Sequence, residues 1–445
     1  MNHAWPWLGH LSLLHGTLPV LLTLLAVLGL LVLVVARRDR RWFIRSVPVA
    51  LTVAAVALAG VWVAIGILKP FPDALPTRVF GWIGAGLLAV ALAALGWRHQ
   101  QWWRRGALVV AAALVVLGAA DQVNMIYGPF PTIAAALQVP PAHAVPASTV
   151  LHVVASPTPI AASVGAPVES SWTPPAIMPQ TGALTQVDIP ATVSHFAARP
   201  AWVYVPPAYL TAHRPLLPVL VLIGGQPGSP RDWVDGGRIA QSMDAFAAAH
   251  HGLAPVVVMP DALGSELANP MCLGSRLGNA NTYLATDVPN WITSTLQVDL
   301  NTAHWAVGGF SYGGTCALQL AVAHPALFPT FLDISGQQGP TLGSPAKTVT
   351  AAFGADGPAQ RAAFAAVDPL QELAGHRLTG SAGWLTVGAG DREYGPQAAT
   401  VRAALLAAGV SVRGGPELGG HSWTTAVEGL TAATPWIAQR TGLIR

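Results

Sequence analysis

Charged side chains are scarce in this 445-residue chain: only 10% are Asp, Glu, Lys or Arg, against 52% hydrophobic residues. Soluble domains carry roughly 25% charged residues, so the scarcity excludes a wholly water-soluble protein. It also excludes disorder, which needs low hydrophobicity and high charge. Cysteine is nearly absent. Cys272 and Cys316 are the only two, and they lack the spacing of a metal site. No phosphate loop, dinucleotide fingerprint or basic nucleic-acid stripe occurs. The sequence therefore calls for no cofactor, no metal and no nucleic-acid partner.

Net charge is +3 and the pI about 9.1, but the charge is unevenly spread. Residues 1–120 hold ten basic side chains against Asp39 and Asp73, a net of +8. Residues 121–445 hold 13 basic and 18 acidic side chains, a net of −5. The basic character belongs to the N-terminal quarter alone.

That quarter is where the long apolar runs lie. Leu18–Val35, Val47–Leu68 and Val79–Trp97 are uncharged and close to the ~20 residues that span a bilayer. Gly106–Ala120 is shorter and Asp121 closes it; Trp102, Trp103 and Tyr127 suit the two interfaces, which predicts a fourth span. A cleaved signal peptide would carry its basic residues before the first run. Here the cluster Arg37–Arg45 follows it. The positive-inside rule puts that loop in the cytoplasm, together with the loop bearing Arg98, Arg104 and Arg105. The second loop has only Lys69, Arg78 and Asp73. Four spans then place the N-terminus and everything after Asp121 outside a bacterial cell membrane. No charge sits mid-span, so the helices read as anchors; handling of a lipid substrate is the alternative.

From Pro131 to about Pro179 the chain is rich in Pro, Ala, Ser and Thr, which predicts an extended tether. The expected organisation is a membrane region over 1–122, a tether over 123–180 and a domain over 181–445. In that domain strands are expected at Thr185–Ile189, Ala201–Val205, Val219–Ile223, Val256–Met259, Trp305–Gly308, Thr330–Ile334, Trp384–Val387 and Val410–Arg413. Helices are expected at Ile239–His250, Val288–Leu296, Ser311–His324, Pro396–Ala408 and Thr424–Gln439. Two strands followed by βα alternation predict an α/β domain with a mostly parallel sheet covered on both faces.

Gly309-Phe310-Ser311-Tyr312-Gly313 follows a strand and opens a helix, the setting of a nucleophile elbow that raises a serine hydroxyl above the sheet. Gly309 and Gly313 free the tight turn of Cβ clashes. A serine hydroxyl needs a base. Among 14 histidines, His421 in Gly419-Gly420-His421-Ser422-Trp423 lies after the last strand, third in the order serine, acid, histidine. Asp391 follows the strand Trp384–Val387 and is the preferred acid; Glu393, two residues on, is the alternative. The amides of Tyr312 and of Gly225 or Gln226, in Ile223-Gly224-Gly225-Gln226-Pro227-Gly228, suit an oxyanion hole. Two cysteines in an exported domain predict a Cys272–Cys316 disulfide beside the site, with a buried pair of thiols as the other reading.

Ile189–Val193, Arg199–Pro207, the Gly309–Gly314 elbow and His421-Ser422-Trp423 together resemble the putative-esterase family, which includes esterase D and the mycolyltransferases. The resemblance covers roughly residues 183–440. Asn281-Thr282-Tyr283 and Asp287–Trp291 are similar to the mycolyltransferase stretch before the nucleophile. The resemblance implies an α/β-hydrolase fold, an acyl-serine intermediate, and hydrolysis or transfer to an alcohol. It also implies that Trp423 borders an acceptor site; packing on the core is the alternative. The expected protein is a membrane-embedded, extracytoplasmic esterase or acyltransferase whose partner is an acyl-ester lipid or glycolipid. A non-enzymatic envelope protein that binds glycan or lipid is the other class.

Overall fold

The computed structural model describes residues 6–37, 39–68, 75–97, 100–151 and 166–445. Arg38, Lys69, Asp73, Arg98, His3, His99 and His152, together with residues 152–165 of the expected tether, lie outside the described residues. The chain forms two compact units, Met1–Val139 and Pro140–Arg445.

In the first unit α1 (Thr17–Val34), α2 (Val47–Leu68), α3 (Thr77–Gly96) and α4 (Trp102–Tyr127) are helical. All four are long and apolar enough to cross a membrane. Many of their apolar side chains face outward; Leu24, Val56 and Trp62 are each more than 60% exposed. Small residues hold α1 against α4. A Cβ on Gly118 would collide with Ala26 and the Leu22 carbonyl, and one on Gly29 with the Ala111 carbonyl. Close backbone approach of this kind is how helices associate where no hydrophobic effect drives them. Before α2, Trp42 is buried and its indole N–H donates to the Val34 carbonyl.

The fourth helix departs from the expected Gly106–Ala120. It runs through Asp121 to Tyr127, because Asp121 and Asn124 turn inward and are buried. Asn124 then brackets Phe130, donating to its carbonyl and accepting from its N–H.

The second unit is built on one sheet. Its strands of three or more residues are β1 (Ala183–Val187), β2 (Ala201–Val205), β3 (Val219–Ile223), β4 (Val256–Met259), β5 (Trp305–Phe310), β6 (Thr330–Ile334), β7 (Ala382–Gly388) and β8 (Ser411–Arg413). They lie in the order β1-β2-β4-β3-β5-β6-β7-β8. β2 is antiparallel to both β1 and β4, and the pairs from β4 to β8 are parallel. Helices α5 (Ile239–Ala249), α6 (Val288–Thr295), α7 (Tyr312–Ala323), α8 (Tyr394–Ala407) and α9 (Trp423–Arg440) connect and cover them. β3 reads Val-Leu-Val-Leu-Ile and is buried along its whole length, as a strand covered on both faces must be. Two hydrophobic clusters line the two faces, one containing Val219, Val221 and Ile223, the other Leu220 and Leu222. This is the α/β-hydrolase arrangement. Between β6 and β7, where the sequence predicts no element, lie helices at Pro345–Phe353, Pro358–Ala365 and Pro369–Gly375.

Residues 123–180, expected as one tether, divide differently. Residues 123–127 end α4. Residues 143–145 lie along the edge strand: Leu184 donates to the His143 carbonyl and Val145 donates to the Leu184 carbonyl. Val150, Val168 and Trp172 are buried in the domain core, and the Trp172 indole donates to the His251 carbonyl. An edge strand needs its outer backbone groups satisfied, and these scattered apolar residues hold the segment that supplies the partners.

The α1–α4 contact gives a test. Gly118→Leu should cost about 1–3 kcal/mol by overpacking, read as a lower unfolding midpoint of the full chain in detergent micelles. Gly60 has nothing within 4 Å of its would-be Cβ, so Gly60→Leu should leave the midpoint unchanged.

Candidate active site

β5 ends at Phe310 and α7 starts at Tyr312, so Ser311 alone makes the turn. It does so at φ 57°, ψ −120°, a conformation that costs a non-glycine residue roughly 1–3 kcal/mol and is held only where its surroundings enforce it. The enforcement is visible. Ser311 N–H donates to the Ile334 carbonyl at 2.8 Å, and its own carbonyl accepts from Thr315 N–H at 3.1 Å. A Cβ on Gly309 would strike the Gly313 backbone, and one on Gly313 would strike the Ile223 carbonyl.

His421 reaches this serine from the loop before α9. Its Nε2 lies 2.9 Å from Ser311 Oγ and its Nδ1 lies 3.0 Å from Asp391 Oδ2. With the proton on Nδ1 the imidazole donates to the carboxylate and accepts from the hydroxyl. The other carboxylate oxygen, Oδ1, accepts from the N–H groups of Glu393 and Tyr394. Burial pushes the Asp391 carboxyl up, but the hydrogen bonds from His421, Tyr394 and Glu393 outweigh it and hold the group below the usual carboxylate value. Glu393 is exposed, and its backbone N–H is among the donors to Asp391. The two loops are joined by their main chains, Ala389 N–H donating to Glu417 and Gly390 N–H to Gly419.

The loop after β3 comes close on the other side. Gly225 is so near the elbow that a Cβ there would sit 3.6 Å from Ser311 Cβ. Gln226 is buried, its side-chain amide donating to the Leu267 carbonyl. Tyr312 is the first residue of α7, and first-turn N–H groups have no acceptor within their own helix. Three residues absent from the sequence reading of the site support this loop. Arg199 donates through Nε and Nη2 to the two oxygens of Asp261, and through Nη2 to the Gly228 carbonyl. Asp232 accepts from Ser229 N–H and Oγ–H. Arg199-Pro200 stood within the family resemblance; Asp261 and Asp232 carried no local signal.

The elbow helix is held from a third direction. Tyr312 O–H donates to the Ala262 carbonyl and accepts from Cys272 N–H, and Cys272 is joined to Cys316 by a disulfide. Trp423 is the aromatic that the family resemblance puts beside an acceptor site. It is 7% exposed and packs edge-on against Trp233 at 5.1 Å, with Phe310 at 5.2 Å. As the first residue of α9, it points its indole inward onto the sheet.

Asp333, on β6 beside the elbow, accepts from Gly336 N–H. Burial pushes its carboxyl up from 3.8 to about 7, with the Gly336 hydrogen bond opposing. A raised carboxyl value favours the folded state while the group is protonated. Stability is therefore lost as pH rises from 3.8 to about 7 and is level above that.

The sequence profile of the putative-esterase family matches residues 197–437. A curated but uncharacterized protein of Corynebacterium glutamicum is 34% identical over 422 residues, covering 92% of either chain. Among solved structures, a ferulic acid esterase aligns with TM-score 0.47 and 18% identity, over 54% of this chain and 92% of its own. An S-formylglutathione hydrolase from Agrobacterium tumefaciens aligns with TM-score 0.47 and 19% identity, over 60% of this chain and 100% of its own.

Two outcomes follow from this geometry. Asp333→Asn should gain stability over the parent as pH rises from 4 to 8, measured by denaturant unfolding across that range; a pH-independent difference contradicts the assignment. Cys272→Ser with Cys316→Ser should cost about 2–4 kcal/mol, and dithiothreitol should lower the parent's unfolding midpoint to match.

Proposed function

Because this chain belongs to the putative-esterase family, we propose that it is a serine esterase or acyltransferase acting on an acyl ester of a lipid or glycolipid. The observation that carries the reading is the single imidazole placed between Ser311 Oγ and Asp391. Ser311 Oγ attacks the ester carbonyl carbon while its proton passes to His421 Nε2. The carbonyl π electrons move onto oxygen, and the N–H groups of Tyr312 and of Gly225 or Gln226 receive that charge. Collapse breaks the carbon–oxygen bond to the leaving alcohol, which takes the proton from His421. The acyl group is left on Ser311. Water or a sugar hydroxyl, deprotonated by the same imidazole, then attacks and restores the enzyme. Asp391 keeps Nδ1 protonated and stabilises the imidazolium formed in each half-reaction.

The domain acts outside the cytoplasm, anchored by α1–α4. Two features support that placement: arginines crowd the first and third loops, and the disulfide suits an oxidising compartment. A neutral or lipidic ester fits the acidic outer part of the chain better than an anionic one.

With a p-nitrophenyl acyl ester, Asp391→Asn should lower kcat about 10³–10⁴-fold, whereas Glu393→Gln should stay near the parent. Mass spectrometry of products from a labelled acyl ester, with and without a sugar acceptor, separates transferase from hydrolase. Acylated sugar identifies the former and free acid alone the latter; intact ester in both arms contradicts the function.

A further inference from the structure

His421 has two edge contacts, through its nitrogens, and two face contacts that the reaction scheme leaves unused. The Tyr394 ring stacks on one face, with centroids 4.2 Å apart and planes 22° from parallel. The Phe310 ring covers the other face at 4.9 Å and 30°. Both partners are core residues: Tyr394 is 2% exposed and Phe310 5%. Phe310 is itself backed by Trp423, and Trp423 by Trp233. The imidazole thus occupies a slot between two rings in a row of five that ends in the domain core.

The slot is built from the same segments that carry the chemistry. Phe310 immediately precedes Ser311. Tyr394 uses its backbone N–H to hold Asp391 Oδ1 and its ring to hold the base that Asp391 orients. The titratable groups that touch the imidazole are Asp391, Ser311 and the Tyr394 phenol.

We propose that Phe310 and Tyr394 form an aromatic clamp, a positioning pair that fixes the plane of His421 and favours its imidazolium form during acyl transfer. Resting on the serine-hydrolase reading, the proposal adds two residues to it. The physical grounds are twofold. A ring held on both faces cannot swing about its Cβ–Cγ bond, so Nε2 stays in line with Ser311 Oγ and less rotamer freedom is lost at each turnover. A cation over an aromatic face is also stabilised by the ring quadrupole, and more so when shielded from water. Neutral imidazole gains far less, so the clamp acts on the charged form that the transition state creates.

The test compares Tyr394→Leu, which keeps an apolar group of similar bulk but removes the π face, with Tyr394→Phe, which keeps the face. Full-length proteins in detergent are assayed with a p-nitrophenyl ester across pH, alongside the second-order rate of fluorophosphonate labelling. Tyr394→Leu should lower kcat about tenfold with little change in KM. Its acidic limb in kcat/KM should move down by about 0.5–1 pH unit. Tyr394→Phe should recover most of the rate and the parent's limb. Labelling of Tyr394→Leu at the parent's rate with an unmoved limb overturns the clamp and leaves the serine reading standing. Equal losses in the Leu and Phe variants also overturn it, since they trace the effect to the hydroxyl. A parent that is never labelled at Ser311 overturns both.

Discussion

The hydrogen bonds of one imidazole close the site. Ser311 leaves the end of β5, Asp391 follows β7 and His421 precedes α9, at sequence separations of 110 and 30 residues from the histidine. Nothing local brings these positions together. The parallel order β3-β5-β6-β7 does so, because it sets the strand ends side by side and sends each following loop to the same edge. The burial of Val, Leu and Ile on both faces of that sheet is therefore the energetic ground for a site made almost wholly of loops. The strain at Ser311 is tolerable because the same packing fixes the residues on either side of it.

Around this centre the protein arranges its few charges as braces. Arg199 and Asp261 form a bidentate pair that also holds the Gly228 carbonyl, so the loop after β3 is tied down through its backbone. Such a pair adds geometry more dependably than it adds stability, since desolvation offsets much of its attraction. Asp232 caps the same loop. The Cys272 disulfide and the Tyr312 hydroxyl hold the elbow helix to the loop after β4. A chain with 10% charged residues thus places several of them where a loop near the nucleophile must not move.

Features governed by neighbouring residues were legible in the sequence. β2, β3, β4 and β6 fall where the apolar runs put them, and the elbow is recognisable because strand, glycines and helix are contiguous. Sequence alone left Asp391 and Glu393 both open; the Asp391 carboxylate is 3.0 Å from His421 Nδ1. What escaped depends on contacts far along the chain. Asp261 meets Arg199 across 62 residues. Trp172 reads as part of a Pro-rich tether until its partner, the His251 carbonyl, is known. Asp121 looked like the end of a span because a charge normally stops one; its inward orientation inside α4 follows from packing. The contact of Trp423 with Trp233 is likewise made far along the chain.

Every step of the proposed reaction depends on Ser311 being the activated nucleophile. The direct measurement is peptide mapping by mass spectrometry after the full-length protein, in detergent, reacts with a fluorophosphonate. A single adduct on the peptide carrying Ser311, absent from Ser311→Ala and greatly slowed in His421→Gln, is the expected result. An adduct on another residue, or undiminished labelling of Ser311→Ala, would contradict it.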